Sequence, residues 1–248
     1  MRFKDSKYVG DPINAVRIFN EKKVDELIVL DLDATREGRE PNYGLIENLA
    51  SECRMPLCYG GGIKNMEQAQ RIFGLGVEKI AVSSIAVKNP NIITEMASRV
   101  GNQSVVVVLD VKKKALSSNY ELFTHNGSKG TEVDPVKFAV QMERAGAGEL
   151  VINSIDRDGL MNGYDQTIVD KIRDVTDLPM TVLGGAGSLD DIGNMFRKHG
   201  IIGAAAGSYF VFKGKYRAVL INYPTPLEKE ALLKEYFLPQ WGIHNKGL

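Results

Sequence analysis

The sequence predicts a (β/α)₈ barrel of the TIM type from which the first strand is absent. Short β-branched runs alternate with amphipathic helical patterns along the chain, the rhythm of parallel β/α units. Several runs are apolar throughout, such as Leu27-Ile28-Val29-Leu30 and Val105-Val106-Val107-Val108-Leu109, as strands covered on both faces require. The 248 residues are the length of one barrel domain, so 1–248 reads as a single unit.

The elements follow in order. A helical pattern over 11–22 precedes a strand over 26–32. A strand over 56–59 leads through a glycine run to a helix over 65–73, and a strand over 79–83 to a helix over 91–99. After the strand over 104–110, residues 112–131 lose the helical period. There Tyr120-Glu121-Leu122-Phe123-Thr124 is followed by Asn126-Gly127, a hairpin-like insertion of the kind that walls barrel active sites. A helix over 135–145, strands over 149–154, 179–183 and 200–205, and a helix over 167–174 complete the pattern. Residues 213–248 form a C-terminal extension, helix-like over 226–238.

Seven strands are one too few for a closed barrel. Lys4-Asp5-Ser6-Lys7 reads as a loop, so either the first strand is lost from this chain or the sheet is open. A lost strand leaves unpaired edges at 27–32 and 200–205, and edges of that kind aggregate unless covered. Poor solubility is the expectation for the chain as given.

Lys+Arg and Asp+Glu balance at 31 each, so no global field favours nucleic acid or an anionic membrane. No apolar run approaches the ~18 residues that span a bilayer, and Met1-Arg2-Phe3-Lys4-Asp5 has no apolar leader. The expected compartment is the cytoplasm. Cys53 and Cys58 match no zinc or redox spacing and read as core thiols. No metal cluster, nucleophilic triad or dinucleotide fingerprint is present in the pattern, and no cofactor is expected.

The two halves echo each other. Gly60-Gly61-Gly62 precedes Ser84 as Gly184-Gly185-Ala186-Gly187 precedes Ser208, both at a spacing of 24 with an offset of 124, half the chain. A helix N-terminus offers backbone N–H groups and a positive dipole end to phosphate, and small residues let the anion approach. Asn65 with Gln68, and Ser188 with Asp191, read as capped helix starts after each turn. Taken singly, each glycine turn could be no more than a tight βα connection. Paired, and in register with two serines, they point to a ligand with two phosphates.

Asp31 and Asp110 end strands and should project from the C-terminal rim, where barrel chemistry occurs. A carboxyl between apolar walls there can act as general acid or base; an Asp capping the next helix is the competing role. Asp158, in Asp156-Arg157-Asp158-Gly159, reads as a loop or phosphate-site organiser. His125 lies in the insertion, within reach of the rim, and His199 and His244 take no role. At the opposite end, Glu26, Lys79 and Glu149 each open a strand, either as a salt-bridged floor or as a gate for a small polar molecule.

The run Val151-Ile152-Asn153-Ser154-Ile155-Asp156-Arg157-Asp158-Gly159, with Gly163-Tyr164-Asp165 after it, resembles the cyclase subunit of imidazole glycerol phosphate synthase. So do Tyr59-Gly60-Gly61-Gly62-Ile63 and residues 107–112 and 183–187, and the likeness runs from about residue 10 to residue 212. The resemblance implies a subunit that takes ammonia from a partner glutaminase, in a heterodimer, and adds it to a bis-phosphorylated ribonucleotide. Cyclisation and cleavage then give imidazole glycerol phosphate and an aminoimidazole ribonucleotide. It implies that Asp110 is catalytic. It places Gly62, Ser83 and Ser84 at one phosphate, and Asp158, Gly159, Gly185, Gly207 and Ser208 at the other. Asp31 becomes a rim carboxylate on the substrate side, and Glu26, Lys79 and Glu149 become three members of an ammonia gate.

The chain also departs from that family. The family's second catalytic aspartate and a nearby lysine belong to the first strand and its loop, upstream of this start. Ser83-Ser84 replaces an Asn-Thr pair, Asn153 a threonine, and Leu183 a small polar residue. Lys7-Tyr8-Val9-Gly10-Asp11-Pro12, Pro41-Asn42-Tyr43 and the run from Phe212 through Arg217 to Leu220 resemble a paralogous branch instead. That branch implies a subunit that conducts ammonia for sugar amidation in surface-polysaccharide synthesis without cyclising anything. A phosphosugar isomerase of the sister family fits less well, because of the Ser154-Ile155-Asp156-Arg157-Asp158-Gly159 run and the floor charges.

Overall fold

The computed structural model describes residues 7–115 and 117–236. Seven parallel strands form one curled sheet in the order β1 (Leu27–Leu30), β2 (Leu57–Gly60), β3 (Lys79–Val82), β4 (Val105–Lys113), β7 (Glu149–Ser154), β8 (Met180–Leu183) and β9 (Gly203–Ala204). Helices α1 (Pro12–Glu21), α2 (Tyr43–Glu52), α3 (Met66–Gly74), α5 (Asn91–Val100), α6 (Pro135–Ala145), α7 (Gln166–Arg173) and α8 (Leu189–His199) pack outside it. Two short helices, α4 (Ser84–Lys88) and α9 (Ser208–Val211), start directly beyond β3 and β9. This is the TIM-barrel layout.

Strand alternation sorts the side chains into two cores. Along β4, Val105, Val107, Leu109 and Val111 face the helices in the larger cluster. Val106 and Val108 face inward and pack with Cys58, Ala81 and Val151, against Ile28, Leu30 and Leu183. The insertion is a hairpin of β5 (Tyr120–Thr124) and β6 (Lys129–Gly130), turning through His125 and Asn126 with φ of +55° at each. Because β5 pairs antiparallel with residues 111–113, β4 runs three residues past Asp110, where the sequence pattern had ended it.

Other bounds shift as well. The strand expected over 200–205 contracts to Gly203–Ala204, with Gly203 pressed against Thr181 so closely that a Cβ there would overlap its hydroxyl. Helix α2, which the sequence pattern did not single out, is started by the Asn42 side chain accepting from Leu45 N. Residues 212–219 of the C-terminal extension form an antiparallel hairpin, β10 (Phe212–Lys213) with β11 (Ala218–Val219), before helix α10 (Pro226–Tyr236). Residues 237 and 238 of the expected helix lie outside the described residues.

The strands β1 and β9 end the parallel path and do not pair with each other among the described residues. The C-terminal segment straps this seam. The Tyr223 hydroxyl donates to Asp25 Oδ2 at 2.7 Å, and Lys229 Nζ reaches Asp25 Oδ1 at 2.6 Å, just ahead of β1. Farther on, the Tyr236 ring covers Gly193 of α8 and its hydroxyl donates to Asp190 Oδ1 at 3.0 Å. No described helix is long and apolar enough to cross a membrane.

Candidate functional site

The inward positions of the strands form three layers along the barrel axis. In β7, Glu149, Val151 and Asn153 share one face; Lys79 and Ala81 of β3 do likewise, with Ser83 just beyond its end, and β4 contributes Val106, Val108 and Asp110. The floor is charged, the middle apolar and the top polar. Each layer has a different degree of internal satisfaction.

On the floor, Lys79 Nζ sits 2.9 Å from both Glu26 Oε1 and Glu149 Oε2. Thr181 donates its hydroxyl to Glu149 Oε1 at 2.7 Å. Burial alone would lower the Lys79 pKa, but the hydrogen bonds and charges of the two glutamates outweigh it and hold it well above the usual lysine value. The three residues expected to meet here do meet, and Thr181 joins them. Above them Cys58 is fully enclosed. Burial pushes its thiol up, with the Glu26 and Glu149 charges adding to the effect, and its neighbours in this middle layer are apolar.

The top layer centres on Asp110. Asn153 Nδ2 donates to Asp110 Oδ1 at 2.8 Å, and Ser83 Oγ donates to Oδ2 at 3.3 Å. Burial raises the carboxyl to about 6 even though both bonds favour its ionised form, and the Asp158 charge adds to the rise. A carboxyl near 6 exchanges protons readily at neutral pH. Asn153 is 3% exposed, and its Oδ1 has no partner among the described residues. Its position was a departure from the family pattern rather than a predicted site, although the alternation from Glu149 through Val151 puts it in this layer.

Asp110, Asn153 and Ser83 line a cavity of about 680 Å³ at the C-terminal ends of the strands. Asp31, Gly62, Ser84 and His125 line it too, with Lys64, Lys88 and Lys129 among its cations. Asp31 spends its carboxylate locally: Oδ1 accepts from Ala34 N at 3.0 Å and Asp33 N at 3.2 Å, while Arg39 lies 3.3 Å from Oδ2. It organises the loop after β1. A second, small niche of about 20 Å³ gathers Asp158, Gly159, Gly185, Gly207 and Ser208. The residues predicted for two separate phosphates thus fall into two separate cavities on one rim.

The half-chain echo persists in the backbone. Gly61 and Gly185, offset by 124, have φ of +121° and +115°. A Cβ on Gly61 would strike the Asp31 carbonyl, and one on Gly185 the Gly163 carbonyl, so neither site admits a side chain. The expected source of N–H donors needs revision, however. Asn65 Oδ1 accepts from Gln68 N at the start of α3, and Ser188 with Asp191 makes a capping box on α8. Asp191 also accepts from Gly187 N at 2.9 Å. The helices after the glycine turns are therefore already capped. Those beginning at Ser84 and Ser208 have no side-chain cap, which leaves their first-turn donors for a ligand.

Among the described residues no three His, Cys, Asp or Glu side chains come together as metal ligands. His199, assigned no role, packs beside Asp170 away from the rim.

Comparison with known proteins agrees with this architecture. A Vibrio vulnificus protein named "Putative imidazole glycerol phosphate synthase subunit hisF3" is 58% identical over 234 residues, spanning 94% of this chain and 90% of its own. A Leptospira interrogans protein named "Putative imidazole glycerol phosphate synthase subunit HisF" is 57% identical over 232 residues, 94% of this chain and 91% of its own. The "Imidazole glycerol phosphate synthase subunit HisF" of Petrotoga mobilis is 37% identical over 218 residues, 88% of this chain and 86% of its own. Residues 1–217 match the family described as "Histidine biosynthesis protein". The chain belongs to that histidine biosynthesis protein family.

Proposed function

We propose that this chain is a cyclase-type subunit that binds a bis-phosphorylated ribonucleotide across its rim and joins ammonia to it. The observation that carries the reading is the placement of Asp110, with a carboxyl near 6, in a cavity reached by one cradle and within the electrostatic range of the other's Asp158. In this reading Gly62, Ser83 and Ser84 hold one phosphate, with Asp31 shaping the loop over it. Asp158, Gly159, Gly185, Gly207 and Ser208 hold the other. Asp110 passes a proton to or from the reacting atoms while its neighbours Ser83 and Asn153 orient it.

Ammonia would come from a glutaminase subunit docked at the floor, in a cytoplasmic heterodimer. Lys79, Glu26 and Glu149 close that end, and the apolar layer above them would pass a neutral molecule more easily than an ion. The test is ammonia-driven turnover of the bis-phosphorylated ribonucleotide by purified protein. Formation of imidazole glycerol phosphate supports the reading. A folded protein that binds a glutaminase and gives no product contradicts it.

A second reading is an ammonia-conducting subunit that serves sugar amidation without cyclising. It is favoured by the state of Asp31, whose carboxylate is committed to Ala34, Asp33 and Arg39, which leaves Asp110 to act as both acid and base. The same assay separates the two, because this reading expects ammonia transfer to a partner and no imidazole product.

A further inference from the structure

We infer that Arg217 is the cation of the second phosphate cradle, carried there by the β10–β11 hairpin, and that it clamps a phosphate monoester in the niche. This rests on the two-phosphate reading above. Among the described residues, those lining the niche supply glycine and alanine backbone, the Ser208 hydroxyl and the Asp158 carboxylate, and no cationic side chain.

A guanidinium stands at the edge of the niche. Arg217 donates from Nη1 to the Gly159 carbonyl at 2.8 Å and from Nη2 to Ser208 Oγ at 3.1 Å. Its planar fork therefore bridges two of the residues that line the niche and stands at its edge, and a guanidinium of this shape is the group best matched to phosphate oxygens.

The side chain is held from several sides. Its guanidinium lies 5.0 Å from the centre of the Phe212 ring, over which Lys7 Nζ also sits at 5.1 Å. Lys7 Nζ donates to the Arg217 carbonyl at 2.6 Å. The backbone at Arg217 is left-handed, with φ of +51°, a conformation a non-glycine residue keeps only where its surroundings impose it. The echo makes the same point by contrast. Stepping back 124 residues from Arg217 gives Ile93, buried in α5, so the first cradle has no counterpart and draws on its own lysines, Lys64, Lys88 and Lys129.

The experiment is calorimetric titration of inorganic phosphate into the full chain, with Arg217→Gln and Arg217→Lys in parallel and a thermal melt of each. The wild-type chain should take two phosphates. Arg217→Gln should keep the first site unchanged and weaken the second by roughly 10- to 100-fold, as loss of a charged hydrogen-bonding partner does. Arg217→Lys, which keeps the charge without the fork, should fall between the two. It carries the test alone if the glutamine variant fails to fold. Unchanged second-site affinity in a folded variant overturns the assignment. So does weakening of both sites together with a lowered melting temperature, which would make Arg217 a support for the hairpin only. A wild-type chain that takes no phosphate overturns instead the two-phosphate reading beneath it.

Discussion

The floor and the rim of this barrel are built from the same strands, yet they spend their polar groups in opposite ways. On the floor, Lys79 is matched by Glu26 and Glu149, and Thr181 completes Glu149. On the rim, Asp110 is held in a site that opposes its charge; among the described residues Asn153 Oδ1 has no partner, and the helices at Ser84 and Ser208 lack side-chain caps. Satisfied groups hold a structure in place. Unsatisfied ones mark where a ligand is expected to complete the set.

The largest effect that would sharpen this contrast is at Asp110. Asp110→Asn should lower ammonia-driven turnover by about two orders of magnitude or more, as loss of a general acid–base group does. The same change should stabilise the protein. In the unfolded chain this carboxyl titrates near its ordinary 3.8, and in the folded one at about 6. Between those values the folded state binds more protons, so stability declines as pH rises from about 4 to 6 and stays reduced above. Removing the carboxyl recovers up to about 3 kcal/mol at pH 7. Urea unfolding of both proteins at pH 4 and pH 7 checks it, and a variant less stable than wild type at pH 7 would break the comparison.

The glycine turns come next. Gly61→Ala and Gly185→Ala should each destabilise by about 3 kcal/mol, since both combine a positive φ with a carbonyl where the methyl would go. Similar losses in denaturant melts would show that the two halves still obey one backbone rule, whereas a tolerated substitution at either would separate them.

Lys79→Met on the floor should cost about 2 kcal/mol, because it leaves Glu149, 13% exposed, beside Glu26 without a counter-charge. Ser83→Ala on the rim should stay within about 1 kcal/mol. The floor should also be insensitive to moderate pH. The Lys79 pKa is raised, so its contribution is complete below the ordinary 10.5 and is lost only as pH climbs beyond it. Equal sensitivity of floor and rim variants between pH 4 and 9 would erase the distinction.

The smallest effect expected is at Asn153. Asn153→Ala removes a donor that favours the ionised form of Asp110, so the acid limb of the pH–rate profile should move upward. An unchanged limb would show that the bond does not act on the carboxyl.

Much of this was legible from residue order. The seven strands follow from β-branched runs, and the paired glycine turns from the offset of 124. Asp110 and the floor charges were visible as a strand end and strand starts, and Ser83 only through the family resemblance. Asn153 follows from strand alternation, a local rule with a period of two, and was passed over as a substitution. Arg217 could not be placed, because 58 residues separate it from the Gly159 carbonyl it meets and only the hairpin fold brings them together. The strap from Tyr223 and Lys229 to Asp25 was hidden for the same reason. The insertion's pairing with β4 lengthened a strand that Asp110 had been taken to end, which sets the catalytic candidate inside the sheet rather than at its last residue.

Whether Asp110 is poised for proton transfer is settled by titrating its carboxyl, by carbon NMR of the labelled protein with Asp110→Asn to assign the signal. The expected midpoint is near 6. A midpoint near 4, the value of a carboxyl already satisfied, would contradict it.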